Sequence, residues 1–274
     1  SRATRQRLSP PNAPTAFLDL NGVLRELVDG ARAVLAENFV GAYLQGSFAV
    51  GGADEHSDVD FLVVTEHEIT TEEEAGLQAL HARLYALDVT WAQHLEGSYV
   101  TRARLRRIDP ERAPLLFLDN GASELVRDPH CNTAFVRWIL REHGVVLAGP
   151  DPKLLIDAVS ASELRAEASA GVREYAEWAP EPTKAGRMSR WKQPYLVLTF
   201  CRLLYTLENG RVVSKRAAAE WALDALDDEW SDLIQAAIDD RPDPWTRVRQ
   251  PAAPEAATRT LAFAGYAVAQ SSSC

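Results

Sequence analysis

The chain has 274 residues, 46% of them hydrophobic and 25% charged, an ordinary globular composition that suits one large or two modest domains. No apolar run approaches the roughly 20 residues that span a bilayer, no basic region followed by an apolar core marks a secretory leader, and three scattered cysteines (Cys131, Cys201, Cys274) fit neither a disulfide framework nor a zinc site, so a cytoplasmic protein without a membrane partner is expected. The net charge of −10, from 29 basic and 39 acidic residues, works against a polynucleotide partner, because such binding rests on Lys and Arg at phosphates.

Residues 1–14 carry Pro10, Pro11 and Pro14 among polar residues and read as a loose arm. From Leu18 to Glu37 apolar residues recur at helical spacing, which predicts an amphipathic helix. Phe39 to Leu44 is a short apolar run, read as a buried strand, and Asp58 to Thr65, rich in β-branched residues, as a second. Thr70 with Glu73 forms a capping box for a helix carrying Leu77, Leu80 and Leu84, and Ala86 to Trp91 is expected to be a third strand. Arg102, Arg104, Arg106 and Arg107 form a basic cluster, read as a solvated face or loop in preference to a binding patch.

Beyond about residue 125 the pattern becomes helical. Phe135 to His143 reads as helix, and Gly149-Pro150 with Asp151-Pro152 as a break. Ser160 and Glu163 form a second capping box, opening a helix to about Trp178. A loop follows over Pro180 to Gly186. Leu196 to Leu207 is helical and stops at Asn209-Gly210, Ser214 caps the next helix, and further helical segments run to about Ala269. The expected organisation is an arm over residues 1–14, a first domain over 15–148 and a helical domain over 149–274.

The chemistry concentrates in Gly46-Ser47, followed after ten residues by Asp58 and Asp60. Side chains two apart on a strand share a face, so Asp58 and Asp60 present two carboxylates side by side, which suits Mg²⁺. Gly46-Ser47 is placed where a strand turns into a helix. Glycine admits close approach by a ligand, and exposed helix N–H groups favour phosphate oxygens. Asp88, on the third expected strand, would complete the set as a metal ligand or as acceptor of the proton from an attacking hydroxyl; Glu96 is the rival third carboxylate. Each feature alone is weak, and an acidic strand residue is often only solvent-facing. Together and in this order they point to phosphoryl chemistry.

Gly46-Ser-Phe-Ala-Val-Gly-Gly52 with Ser57-Asp-Val-Asp60 resembles the signature of the DNA polymerase β-like nucleotidyltransferase superfamily. Leu87-Asp-Val-Thr90, Arg141-Glu-His-Gly144, Leu198-Thr-Phe-Cys-Arg202 with Tyr205, Asn209-Gly210, Ser214-Lys215 and Ala219-Glu-Trp-Ala222 extend the similarity to aminoglycoside adenylyltransferases of the streptomycin/spectinomycin type. The resemblance implies that Asp58 and Asp60 bind magnesium, that Ser47 and Ser57 contact nucleotide phosphates, and that Asp88 stands at the position of the catalytic base, where those enzymes have glutamate. It also implies that Lys215 reaches the ATP phosphates; read alone, Lys215 is an exposed first-turn lysine. Trp178 matches an aromatic residue that packs on the drug, while a core tryptophan fits its helix equally. After Trp178 this chain carries an insertion, and the acidic residue that holds the drug's amino groups is replaced near Arg190-Trp-Lys-Gln193.

The expected architecture is an α/β nucleotidyltransferase domain, a mixed sheet with flanking helices, followed by an all-α helical-bundle domain. The expected activity is Mg²⁺-dependent transfer of AMP from ATP to a hydroxyl of a small acceptor, with streptomycin and spectinomycin as candidates. The alternatives are the same chemistry on a protein or tRNA acceptor, and a nucleotide-binding regulator without turnover.

Overall fold

A computed structural model describes residues 13–272 apart from His56, Glu181 and 241–248. Of the expected N-terminal arm, residues 1–12 lie outside the described residues. The chain divides into two compact units. One combines the segment ending at Val50 with Asp58–Ala158; the other combines Gly51–Ser57 with the chain from Val159 onward.

The first unit is built on a mixed six-stranded sheet in the order β5-β4-β3-β2-β1-β6. Its helix α1 (Leu18–Leu35) buries the expected stripe, Leu20, Val23, Leu24, Leu27, Val28, Ala31 and Leu35. Strand β1 (Phe39–Leu44) pairs antiparallel with β2 (Val59–Thr65), and the short helix α2 (Gly46–Val50) lies between them in sequence. The Thr70 capping box forms as expected: Thr70 Oγ1 accepts from the Glu73 N–H at 3.2 Å and Glu73 Oε2 from the Thr70 N–H at 2.7 Å. It starts α3 (Thr71–Tyr85), whose Leu77, Leu80 and Leu84 are buried. Helix α3 is the crossover that a parallel pair requires, and it leads to β3 (Leu95–Thr101), parallel to β2.

The strand expected over Ala86 to Trp91 does not form. After α3 the chain passes through a turn and bend to a 3₁₀ turn at Thr90–Gln93, and the strand begins only at Leu95. The reason is local: Leu87 N–H remains bonded to Leu84 O at 3.0 Å, and Gln93 Nε2 donates to Leu87 O at 2.9 Å, so the helix exit is held in a compact corner.

Helix α4 (Arg102–Leu105) ends β3. The antiparallel strands β4 (Leu115–Leu118) and β5 (Leu125–Asp128) then extend one side of the sheet. The arginine cluster is structural. Arg102 pairs with Glu66 at 3.3 Å, Arg106 and Arg107 both pair with Asp157, at 3.0 and 3.1 Å, and Arg104 donates to Ala113 O at 3.0 Å. Helix α5 (Ala134–His143) leads to β6 (Val145–Ala148), which joins β1 on the other side.

The second unit is helical, with α6 (Ala161–Trp178), α7 (Lys192–Asn209), α8 (Lys215–Ala225), α9 (Ser231–Asp239) and α10 (Pro254–Ser271). The Ser160–Glu163 capping box opens α6 as expected. Helix α7 packs against the other four, which is why every residue from Leu196 to Leu207 except Arg202 is buried. Gly210, at φ +63°, closes it in a left-handed turn, and Ser214 Oγ caps α8 by accepting from the Ala217 N–H at 3.2 Å. Among the described residues no helix is long and apolar enough to cross a membrane.

Candidate active site

Strand β1 ends at Leu44 and α2 begins at Gly46, so Gly46-Ser47 does sit where a strand turns into a helix. The corner is fixed by the Gln45 N–H, which donates to Asp60 O at 2.9 Å. Phe48 anchors α2 from the far side, its ring 6.3 Å from Phe17 and 6.1 Å from Trp91. Ser47 lies half-buried in the first turn.

Asp58 and Asp60 flank the fully buried Val59 and are themselves half-buried, Asp60 within β2 and Asp58 just before it. Gly46, at φ +57°, lies directly against Asp60: a Cβ at position 46 would overlap Oδ2. The pair has the chemistry of a divalent-cation site. Among the described residues no three His, Cys, Asp or Glu side chains form an ion-binding group. That donor set fits Mg²⁺, which keeps much of its shell as water and substrate oxygens around one or two carboxylates.

The sheet brings Glu96, expected only as a rival to Asp88, alongside Asp60. Asp60 and Glu96 are paired in register across the parallel strands β2 and β3, which puts their side chains on one face. Glu96 is 15% exposed, and its Oε1 lies 3.1 Å from His130 Nε2. The hydrogen bond that His130 donates to Glu96 raises the His130 pKa above the ordinary histidine value despite partial burial. Asp88, expected on a strand beside Asp60, is exposed in the bend after α3; the sheet does not carry it, because the strand that would have done so is absent.

Asp58 has a supporting layer. Asn120 Nδ2 donates to Asp58 Oδ1 at 2.5 Å, and Asn120 Oδ1 lies 2.9 Å from His94 Nδ1. Sequence reasoning missed Asn120, His94 and His130. None is near the Gly-Ser or Asp-x-Asp elements in the chain, and only strand order brings them together. The one available signal was Asn120-Gly121, a turn dipeptide, which says nothing about its partner.

The remaining expected residues fall in the second unit. Ser57 is buried; its hydroxyl donates to Asp54 Oδ1 at 3.1 Å and accepts from the Asp54 N–H at 2.8 Å, a turn that shapes the approach to Asp58. Lys215, the first residue of α8, is half-buried with its ammonium 3.8 Å above the Tyr195 ring, so it is not the freely exposed lysine that its position suggested. Trp178 is 44% exposed, which excludes the core alternative. Its ring is edge-on to Tyr195 at 5.9 Å and to Trp191 at 6.4 Å. The Lys192 ammonium sits 3.5 Å from the centre of the Trp178 ring and donates to Trp178 O at 2.6 Å. Burial lowers the Lys192 pKa.

Residues 29–112 match the family described as Nucleotidyltransferase domain, and residues 154–263 match Aminoglycoside adenylyltransferase, C-terminal domain. A spectinomycin 9-adenylyltransferase of Staphylococcus aureus is 25% identical over 218 residues, 74% of this chain and 78% of the relative. An aminoglycoside (3'') (9) adenylyltransferase of Klebsiella pneumoniae is 26% identical over 226 residues, 77% of this chain and 81% of the relative. The crystal structure of a spectinomycin adenyltransferase from Enterococcus faecialis, with ATP and spectinomycin, superposes with a TM-score of 0.68 at 14% identity, covering 90% of this chain and 98% of that one, and supports the two-part fold.

Proposed function

We propose that the chain, which matches the nucleotidyltransferase domain over residues 29–112 and the aminoglycoside adenylyltransferase C-terminal domain over residues 154–263, transfers AMP from ATP to a hydroxyl of a small acceptor of the aminoglycoside class. The observation that carries this reading is the half-buried pair Asp58 and Asp60 at the start of β2, with the Gly46 turn packed against Asp60.

In the proposed reaction a bond forms between the acceptor oxygen and the α-phosphorus of ATP, the bond from that phosphorus to the bridging oxygen breaks, and pyrophosphate leaves. Asp58 and Asp60 would hold Mg²⁺, which supplies charge neutralisation at the transferring phosphoryl group when bound. Glu96 takes the proton of the attacking hydroxyl. Its register with Asp60 favours it over Asp88, which lies in an exposed bend, for this role. The Gly46-Ser47 turn offers backbone N–H groups to phosphate oxygens. Ser47, Ser57 and Lys215 are assigned to the nucleotide, and Trp178 to the acceptor. The relatives' printed acceptors, spectinomycin and aminoglycosides, guide the choice of substrates.

The test is pyrophosphate release from Mg-ATP with spectinomycin and streptomycin at the head of an acceptor panel. Acceptor-dependent release that disappears in Asp60→Ala is expected. ATP binding with no release on any acceptor would overturn the reading in favour of a nucleotide-binding regulator.

A further inference from the structure

Asp58 stands just outside its strand, where a carboxylate would ordinarily swing between rotamers. Here a closed ring of bonds surrounds it. The Val59 N–H, one residue on, donates to His94 O at 2.9 Å; the His94 ring meets Asn120 Oδ1 through Nδ1 at 2.9 Å; Asn120 Nδ2 returns to Asp58 Oδ1. His94 is fixed at its own main chain as well, because its N–H donates to Trp91 O at 3.1 Å. Asn120 is 9% exposed, at the turn after β4.

The chemistry of the ring allows one arrangement. A carboxylate only accepts, so the Asn120 group facing Asp58 is its NH₂; the carbonyl then faces His94, and His94 Nδ1 carries the proton. Reversing the amide would set a carbonyl oxygen against a carboxylate oxygen. The resulting bond to Asp58 is charge-assisted and orients the carboxylate through Oδ1.

We propose that Asn120 and His94 are positioning residues for the divalent cation, setting the direction in which Asp58 meets the ion. This rests on the reading of Asp58 as a metal carboxylate. Partners in such an outer layer fix the orientation of the ligating group, and their loss costs about 10–100-fold in metal affinity. Asparagine is required because its amide gives to one neighbour and accepts from the other; serine is too short to span both, and aspartate would oppose Asp58 with a like charge.

The test is Mn²⁺ binding to the full chain without nucleotide, followed by electron paramagnetic resonance, with thermal melting to confirm folding. Asn120→Ala and the near-isosteric Asn120→Leu should both weaken Mn²⁺ binding by about 10–100-fold and raise the Mg²⁺ concentration needed for half-maximal turnover, leaving the KM of the acceptor unchanged. His94→Ala should move binding in the same direction. His94→Asn, which can place an N–H near the position of Nδ1, should recover it. If either folded Asn120 variant binds Mn²⁺ within twofold of the parent while Asp58→Ala does not, the positioning role is overturned and the metal assignment stands. If Asp58→Ala also binds normally, the metal assignment fails and the inference with it.

Discussion

The α-carbon of Gly46 rests against the carboxylate of Asp60, and a Cβ there would overlap Oδ2 before meeting any other side chain. The turn that would cradle phosphate and the strand that would hold the ion are therefore one packed unit. Gly46→Ala adds left-handed strain of about 1–2 kcal/mol and turns Asp60 aside. Because misplacing a reacting group by an ångström can cost roughly 100-fold in rate, turnover should fall by about that factor while the melting temperature drops only a few degrees. Parent-like pyrophosphate release would show that this contact does not set the carboxylate.

Asp88 and Glu96 separate cleanly. Glu96→Gln should lower kcat by about 10²–10⁴, the usual contribution of a positioned base, with little effect on the KM for ATP. Asp88→Ala, in an exposed bend, should stay within about twofold of the parent, as surface changes away from chemistry do. The reverse order of effects in steady-state kinetics would reinstate Asp88.

Burial also makes His81 a pH-sensitive element of stability. It is 1% exposed, its Nε2 lies 2.8 Å from the Tyr99 hydroxyl, and Nδ1 finds no partner among the described residues. Burial pushes its pKa down to about 4. The unfolded chain, with a histidine pKa near 6.5, takes up the proton first, so this contribution is whole above about pH 6.5 and is lost as pH falls towards 4. Urea unfolding should show about 2 kcal/mol less stability at pH 5 than at pH 7 from this group. The raised His130 pKa acts in a different window: its contribution is whole below about pH 6.5 and is lost as pH rises through its folded-state value. His81→Phe isolates the effect: a pH slope unchanged by that substitution would refute it.

Arg137 is 2% exposed and ties one end of the sheet together. Its guanidinium donates to Leu105 O at 3.2 Å, Thr133 O at 3.1 Å, Arg104 O at 3.0 Å and Asn132 Oδ1 at 2.8 Å. Lysine cannot reproduce that planar fork. Arg137→Lys should destabilise by about 2–4 kcal/mol, through buried acceptors left without donors, with the KM for ATP unchanged in the folded fraction. Chemical denaturation gives the first quantity and initial rates the second.

Much of the fold was legible because local rules agree with the tertiary outcome. The stripe of α1, the capping boxes at Thr70 and Ser160, the Asn209-Gly210 stop and the Ser214 cap all act within a few residues and all formed as read. The third strand was misplaced because Ala86 to Trp91 has an apolar, β-branched look, whereas Leu95-Glu-Gly-Ser-Tyr-Val-Thr101 carries a glutamate and a glycine. Gly97 is there for packing: a Cβ would run into the Phe61 carbonyl and ring. β4, β5 and β6, at four residues each, are too short for periodicity to announce. In the site, Asp58 and Asp60 were visible because they stand two residues apart in the chain, Asp60 within β2 and Asp58 at its entrance. Glu96 was visible only as a rival, and Asn120, His94 and His130 not at all, since their meeting depends on which strands become neighbours.

The interval between Asp60 and Glu96 belongs to the backbone. Adjacent strands lie about 4.8 Å apart whatever side chains they bear, so the gauge of this site is inherited from the peptide ladder itself. Mutation can blunt or reorient either acid but has little means of respacing them. An enzyme so built would keep its reaction as it diversifies, with novelty confined to what the reaction is performed upon.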